Sequence, residues 1–164
     1  EECVVSDRDV AVELFRGDCA CSQAVLGAYG PRYGLTEGQA MRVAAGFGGG
    51  MGMAETCGVV TGAVMLIGLA CCDDACKTRE RRATAHAATA SFVAEFRRRH
   101  GTLVCRELLG CDVSTPEGAL LAKERGLSAK CEEFVRSAAE IADDLLNGAQ
   151  CGEAGPREEP GVTS

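Results

Sequence analysis

The sequence predicts an all-α domain, a compact bundle of about five to seven helices around a buried apolar central helix. Three observations lead there. Apolar residues recur at helical spacing between capping residues, and no strand-type alternation survives along the chain. Aromatics make up only 4% and Trp is absent, while Ala, Gly, Val and Leu abound, a palette suited to close helix packing rather than to a β-sandwich. The length of 164 residues fits one domain with a sizeable core. Residues 1–148 form that single cysteine-rich helical domain, and the Gly-, Pro- and Glu-rich stretch 149–164 is expected to be a disordered polar tail.

Each element has a local reason. Asp7 can cap a first helix through Arg16, with Val10, Leu14 and Phe15 on its apolar face and Gly17 as the stop. A second helix opens at Cys21 and ends by Gly30-Pro31. Thr36 to Gln39 reads T-x-x-Q, a capping box that starts a third helix through about Ala45. The run Gly46-Phe47-Gly48-Gly49-Gly50-Met51-Gly52 is the least helical stretch, free to take positive φ and to approach another group closely. Beyond it, Val59 to Cys72 is almost wholly apolar but shorter than the roughly 20 residues that cross a bilayer, so it reads as a buried core helix without membrane insertion. Gly58 and Gly62 share one face of it and offer a groove for a neighbouring helix.

A long helix is expected from about Thr78 to His100, with Phe92, Val93 and Phe96 inward. A short turn of helix follows near Cys105, and one irregular helix lies within Val113 to Gly126. Ser128 is expected to cap the last helix, whose stripe of Cys131, Phe134, Val135, Ala138, Ile141, Ala142, Leu145 and Leu146 ends at Gly148.

Charge and motifs exclude several function classes. The net charge of −7 draws the chain neither to nucleic acid nor to an anionic membrane. The arginines at 79, 81, 82, 97, 98 and 99 bracket one helix and read as a solvated face. No C-x-x-C exists, which removes the thioredoxin-type pair and the zinc-knuckle spacing, and no C-x-x-C-H marks a haem attachment. The glycine run has neither a Gly-Lys-Ser/Thr nor a preceding strand, so nucleotide binding is rejected. His86 and His100 have no sequence partner that would make either a general base, and a structural role is expected of both.

Sulfur is what remains. Four of the 11 cysteines, Cys21, Cys57, Cys105 and Cys131, each fall where a helix begins. A helix start offers unpaired N–H groups and positive dipole, which lower a thiol pKa. Any one of them could simply fill a core. Repetition of the placement beside glycine points instead to a site built to hold thiolates, with N–H donors from the Gly48 to Gly52 segment and Gly58. With no leader-like opening and no disulfide-scaffold spacing, a reducing cytoplasm is the expected location.

These residues resemble the C_GCAxxG_C_C family, whose members are described as redox-active without an assigned reaction. The segments that carry the resemblance are CSQAVLGAYG from Cys21, GFGGGMG from Gly46, ETCGVVTGAVMLIGL from Glu55, CRELLG from Cys105 and CEEFVRSAAEIADDLL from Cys131, in family order across nearly the whole domain. The family's CGAxxG element reads Cys57-Gly58-Val59-Val60-Thr61-Gly62 here, and Val59 in place of Ala could crowd a tight helix contact by about 1–3 kcal/mol. A related segment occurs in split-Soret cytochromes beside an iron–sulfur centre. The resemblance therefore implies Cys21, Cys57, Cys105 and Cys131 as metal ligands, backed by the backbone of Gly48, Gly49, Gly50, Gly52 and Gly58.

The other cysteines stand outside that pattern. Cys19 could be an alternative ligand or a resolving thiol, and Cys72 with Cys76, at i,i+4 beside Asp73 and Asp74, could clip a metal. Cys3, Cys111 and Cys151 read as incidental. Three functions use the same four thiols: an iron–sulfur protein for electron transfer or redox sensing, a metal-free thiol–disulfide oxidoreductase, or a structural zinc protein. An unidentified redox partner protein is implied by the first two, and the exposed part of the apolar helix could support a homodimer.

Overall fold

The apolar segment that follows Cys57 forms the helix on which the rest of the protein is laid. The computed structural model describes residues 5–148 and Cys151. Among these residues the chain forms α1 Asp7–Arg16, α2 Cys21–Tyr29, α3 Glu37–Ala44, α4 Gly58–Cys71, α5 Ala83–His100, α6 Cys105–Leu109, α7 Pro116–Glu124 and α8 Ser128–Asn147. The fold is all-α. The expected tail, Cys151 apart, and Cys3 lie outside the described residues.

Helix α4 is central because it is apolar on every side. Val59, Val60, Ala63, Leu66, Ile67 and Ala70 are all buried, as expected of a helix with no polar stripe. Its glycines admit α2 at close range: a Cβ on Gly62 would stand 2.8 Å from the Ser22 carbonyl oxygen. Ser22, fully buried, donates its hydroxyl to the Ala44 carbonyl at 2.8 Å and so ties α2 to the end of α3. At the other end of α2, the buried Tyr29 hydroxyl donates to Asp143 Oδ1 at 2.8 Å on α8. Helix α8 then covers α4 with the stripe Phe134, Val135, Ala138, Ile141, Ala142 and Leu145. Phe92 and Phe96 of α5 complete the core. His100, at the end of α5, packs between Phe96, tilted against it, and Phe134, edge-on to it, and hydrogen-bonds Ser137 Oγ at 2.8 Å.

Most boundaries follow the sequence, including the capping box, in which Thr36 and Gln39 exchange hydrogen bonds of 2.9 and 3.1 Å. Three depart. Ser6, not Asp7, caps α1, accepting from the Asp9 N–H at 3.2 Å, which leaves Asp7 in the first turn beside the positive dipole end. Helix α5 starts at Ala83 rather than Thr78. The residues before it fold into turns in which Arg81 pairs with Asp73 at 3.2 Å and Arg82 donates to the Lys77 carbonyl at 3.0 Å, with Arg79, Arg81 and Arg82 all exposed. Leu127, not Ser128, holds the cap position of α8, with no side-chain cap hydrogen bond.

Candidate redox centre

Local structure places the four thiols. Cys21 is the first residue of α2, Cys57 caps α4, Cys105 is the first residue of α6, and Cys131 lies one turn inside α8. Tens of residues separate them in sequence, yet all four line one cavity of about 250 Å³. Its other walls are mainly apolar, from Phe15, Val59, Leu108, Leu109, Leu127 and Phe134. Val59 is among the lining residues and is fully buried.

A two-residue clamp fixes Cys57 and Cys105. Thr56 and Val104 form an isolated antiparallel bridge, the one departure from purely helical pairing among the described residues. On either side the Cys57 N–H donates to the Leu103 carbonyl at 2.8 Å and the Cys105 N–H donates to the Glu55 carbonyl at 2.6 Å. Arg106 adds an ion pair to Glu55 at 2.6 Å. So short a ladder has no period to detect, which is why sequence patterning passed over it.

The glycine segment brings backbone up to this clamp. Gly49, Gly50, Met51, Gly52 and Ala54 all have positive φ, and for Met51 and Ala54 that conformation is strained. Gly49 and Gly58 donate N–H groups to Cys21, joined by the N–H of Ser22. Gly50 serves by having no side chain: a Cβ there would stand 2.5 Å from the Glu55 nitrogen and 3.0 Å from Cys105 Cβ. Gly48 lies against Ala20, where a Cβ would come to 2.6 Å of that methyl, whereas a Cβ on Gly52 would meet nothing within 4 Å.

The electrostatics separate the thiols by role. Hydrogen bonding from the Cys57 thiol, then from those backbone N–H groups, lowers the Cys21 pKa from 9.0 to about 6 against the opposing effect of burial. Cys21 is therefore the thiolate of the site at neutral pH. The hydrogen bond to that thiolate and burial push Cys57 strongly upward, so it keeps its proton. Burial, followed by the Cys21 charge, raises Cys105 to about 11 and Cys131 to about 12. One anion sits among three protonated thiols, each ready to ionise when positive charge enters the cavity.

Several other cysteines behave unlike their sequence reading. Cys111, read as incidental, lies near both Cys105 and Cys131. It was missed because α6 is only Cys105–Leu109 long, and the turn at Gly110, φ +72°, returns the chain towards the site. Cys151 is not incidental either, since it is disulfide-bonded to Cys71 at the far end of α4. Cys19 turns to Met41, with 3.9 Å between the sulfur atoms, and is not among the cavity-lining residues. Cys72 and Cys76 approach each other at the far end of α4, away from the cavity.

Among the described residues no group of three or more His, Cys, Asp or Glu side chains is gathered tightly enough to hold a single metal ion. The four thiols surround a space, not a point. A mononuclear zinc site needs its sulfurs about 2.3 Å from one centre. A thiolate-ligated cluster occupies a larger volume. Four soft donors, apolar walls and N–H groups directed at one sulfur fit such a group.

No helix among the described residues is long and apolar enough to cross a membrane. No curated protein and no solved structure gives a match to this chain. A family model does: that of C_GCAxxG_C_C, described as "putative redox-active protein", matches residues 19–145. The match runs from the turn before Cys21 to the apolar stripe of α8 beyond Cys131, taking in every wall of the cavity except Phe15. By that match the chain belongs to the C_GCAxxG_C_C family.

Proposed function

We propose that the protein carries an iron–sulfur cluster on Cys21, Cys57, Cys105 and Cys131 and works as an electron carrier or redox sensor. One observation carries the reading: four thiols from four separate helices line a single apolar cavity. A bound cluster would supply a one-electron couple. The chain's own part is to hold and tune it. N–H groups of Ser22, Gly49 and Gly58 stabilise negative charge on sulfur, the apolar walls keep water away, and the Thr56–Val104 bridge holds two ligand positions in register. Ligation by all four thiols leaves no open position for substrate, which favours electron exchange with a partner protein over catalysis.

Iron, acid-labile sulfide and zinc content, with an absorption spectrum, test this on protein purified without oxygen. Stoichiometric iron and sulfide with broad visible absorption are expected, lost in each of the four single Cys→Ser variants. Iron-free protein, or iron that survives every single substitution, would overturn the shared site.

A second reading rests on the hydrogen bond between the Cys57 thiol and the Cys21 thiolate. In it, Cys21 attacks a substrate disulfide and forms a mixed disulfide with release of one thiolate. Cys57 then attacks Cys21 and releases the other, so two electrons pass to the substrate. A stable, colourless, metal-free protein with a Cys21–Cys57 disulfide after oxidation would favour this reading.

A further inference from the structure

We infer that Cys72 and Cys76 form a second redox couple, a dithiol that closes to a disulfide on reaction with small disulfides of the glutathione class, separate from the four-thiol cavity. The two Sγ atoms lie 2.6 Å apart. That is well inside the contact distance of two sulfur atoms and needs only a small approach to reach a bond of roughly 2.05 Å.

The backbone produces this proximity. Cys72 ends α4 in an extended conformation, φ −118° and ψ 149°, while its N–H still donates to the Gly68 carbonyl. The chain then turns back at once. Ala75 donates to Asp73 Oδ1 at 2.9 Å and Cys76 donates to the Asp73 carbonyl at 3.1 Å, so Asp73 organises the loop that presents Cys76 to Cys72. Arg81, paired with Asp73 at 3.2 Å, braces the same turn, and the Cys76 thiol also reaches the Arg81 carbonyl at 3.5 Å. Both cysteines are half-buried and so within reach of a small disulfide. Next to them Cys71 is bonded to Cys151, so oxidised sulfur already belongs to this end of the helix. The couple is remote from the cavity because Cys57 caps the opposite end of α4, about 20 Å away along 14 residues.

The chemistry balances as two exchanges. The Cys76 thiolate attacks one sulfur of the small disulfide, forming a mixed disulfide and expelling one thiolate. Cys72 then attacks Cys76 Sγ and expels the second. Burial holds Cys72 protonated, with a pKa pushed up to about 11, which suits it to the second, intramolecular step. Two electrons move from the protein sulfurs to the small disulfide, and the two protons pass to the released thiols.

The test is a titration of the full chain in mixtures of reduced and oxidised glutathione, with alkylation, cleavage at Asp73 and Asp74, and peptide mass measurement. Because that cleavage falls between Cys72 and Cys76, a closed bond keeps the two peptides together. The expected result is one reversible Cys72–Cys76 bond with a single midpoint. Cys72→Ser should leave a stable glutathione adduct on Cys76, and Cys21→Ser should leave the midpoint unchanged. Alkylation of both residues across the whole titration, pairing of Cys72 with Cys151, or a midpoint that moves in Cys21→Ser would each overturn the inference.

Discussion

The Cys21 sulfur occupies the space that a side chain at Gly58 would need: a Cβ there would stand 2.5 Å from Sγ. The same Cβ would come to 3.1 Å of both the Phe47 carbonyl oxygen and the Ser22 nitrogen. The glycine beside Cys57 thus admits the thiolate and donates its own N–H to it. In these two residues the start of α2 and the start of α4 become one site.

Gly58→Ala should push Cys21 from its N–H donors. Overpacking of this kind costs about 1–3 kcal/mol, and the melting temperature should fall accordingly. The diagnostic readout is the alkylation midpoint of Cys21 in reduced, metal-free protein, which should rise from about 6 towards the ordinary thiol value of 9.0. An unchanged midpoint would show that the hydrogen-bonding nest does not depend on this glycine.

The stability of the same metal-free protein should depend on pH in a defined way. Cys21 has a folded pKa below its unfolded one, so its contribution is full above pH 9.0 and fades as pH falls towards about 6. Cys105 and Cys131 shift the other way, to about 11 and 12. They favour the fold below pH 9.0, and that advantage is lost as pH rises through their folded values. Together these thiols put their stability maximum near pH 9. Urea unfolding of the wild type and of Cys21→Ser checks the acid limb, since the difference between them should grow between pH 6 and 9. A pH-independent difference would contradict it.

Reduction or removal of the Cys71–Cys151 bond should destabilise the protein, because it closes a loop of 80 residues. Loss of a native disulfide costs typically about 2–5 kcal/mol. Cys151→Ser and reduced wild type should therefore unfold at similar, lower urea concentrations, and reductant should have no further effect on the variant. If the oxidised wild type and Cys151→Ser unfold together, the bond does not form in solution.

Much of the fold was written locally. Thr36 and Gln39 announce the start of α3 by a pairing that involves only neighbours, and the apolar run after Cys57 called for a helix buried over most of its surface, Val64 excepted. The start of α5 lies later than its periodicity suggests, because residues 73–82 fold into turns held by Asp73, Thr78 and Arg81. Cys111 and Cys151 were passed over because each meets a sulfur that the chain brings near only after it has folded.

The sequence by itself determined the helical class, the central helix and the placement of Cys21, Cys57 and Cys105 at helix starts, with Cys131 in the first turns of another, because capping, periodicity and glycine content act over a few residues. Tertiary structure alone decided that these starts meet at one cavity. It also decided that Cys21 is the anion among them and that Cys71 finds Cys151 across 80 positions. Proximity between distant residues depends on how helices cross, and that is set by close contacts such as Gly58 with Cys21 and Gly62 with Ser22.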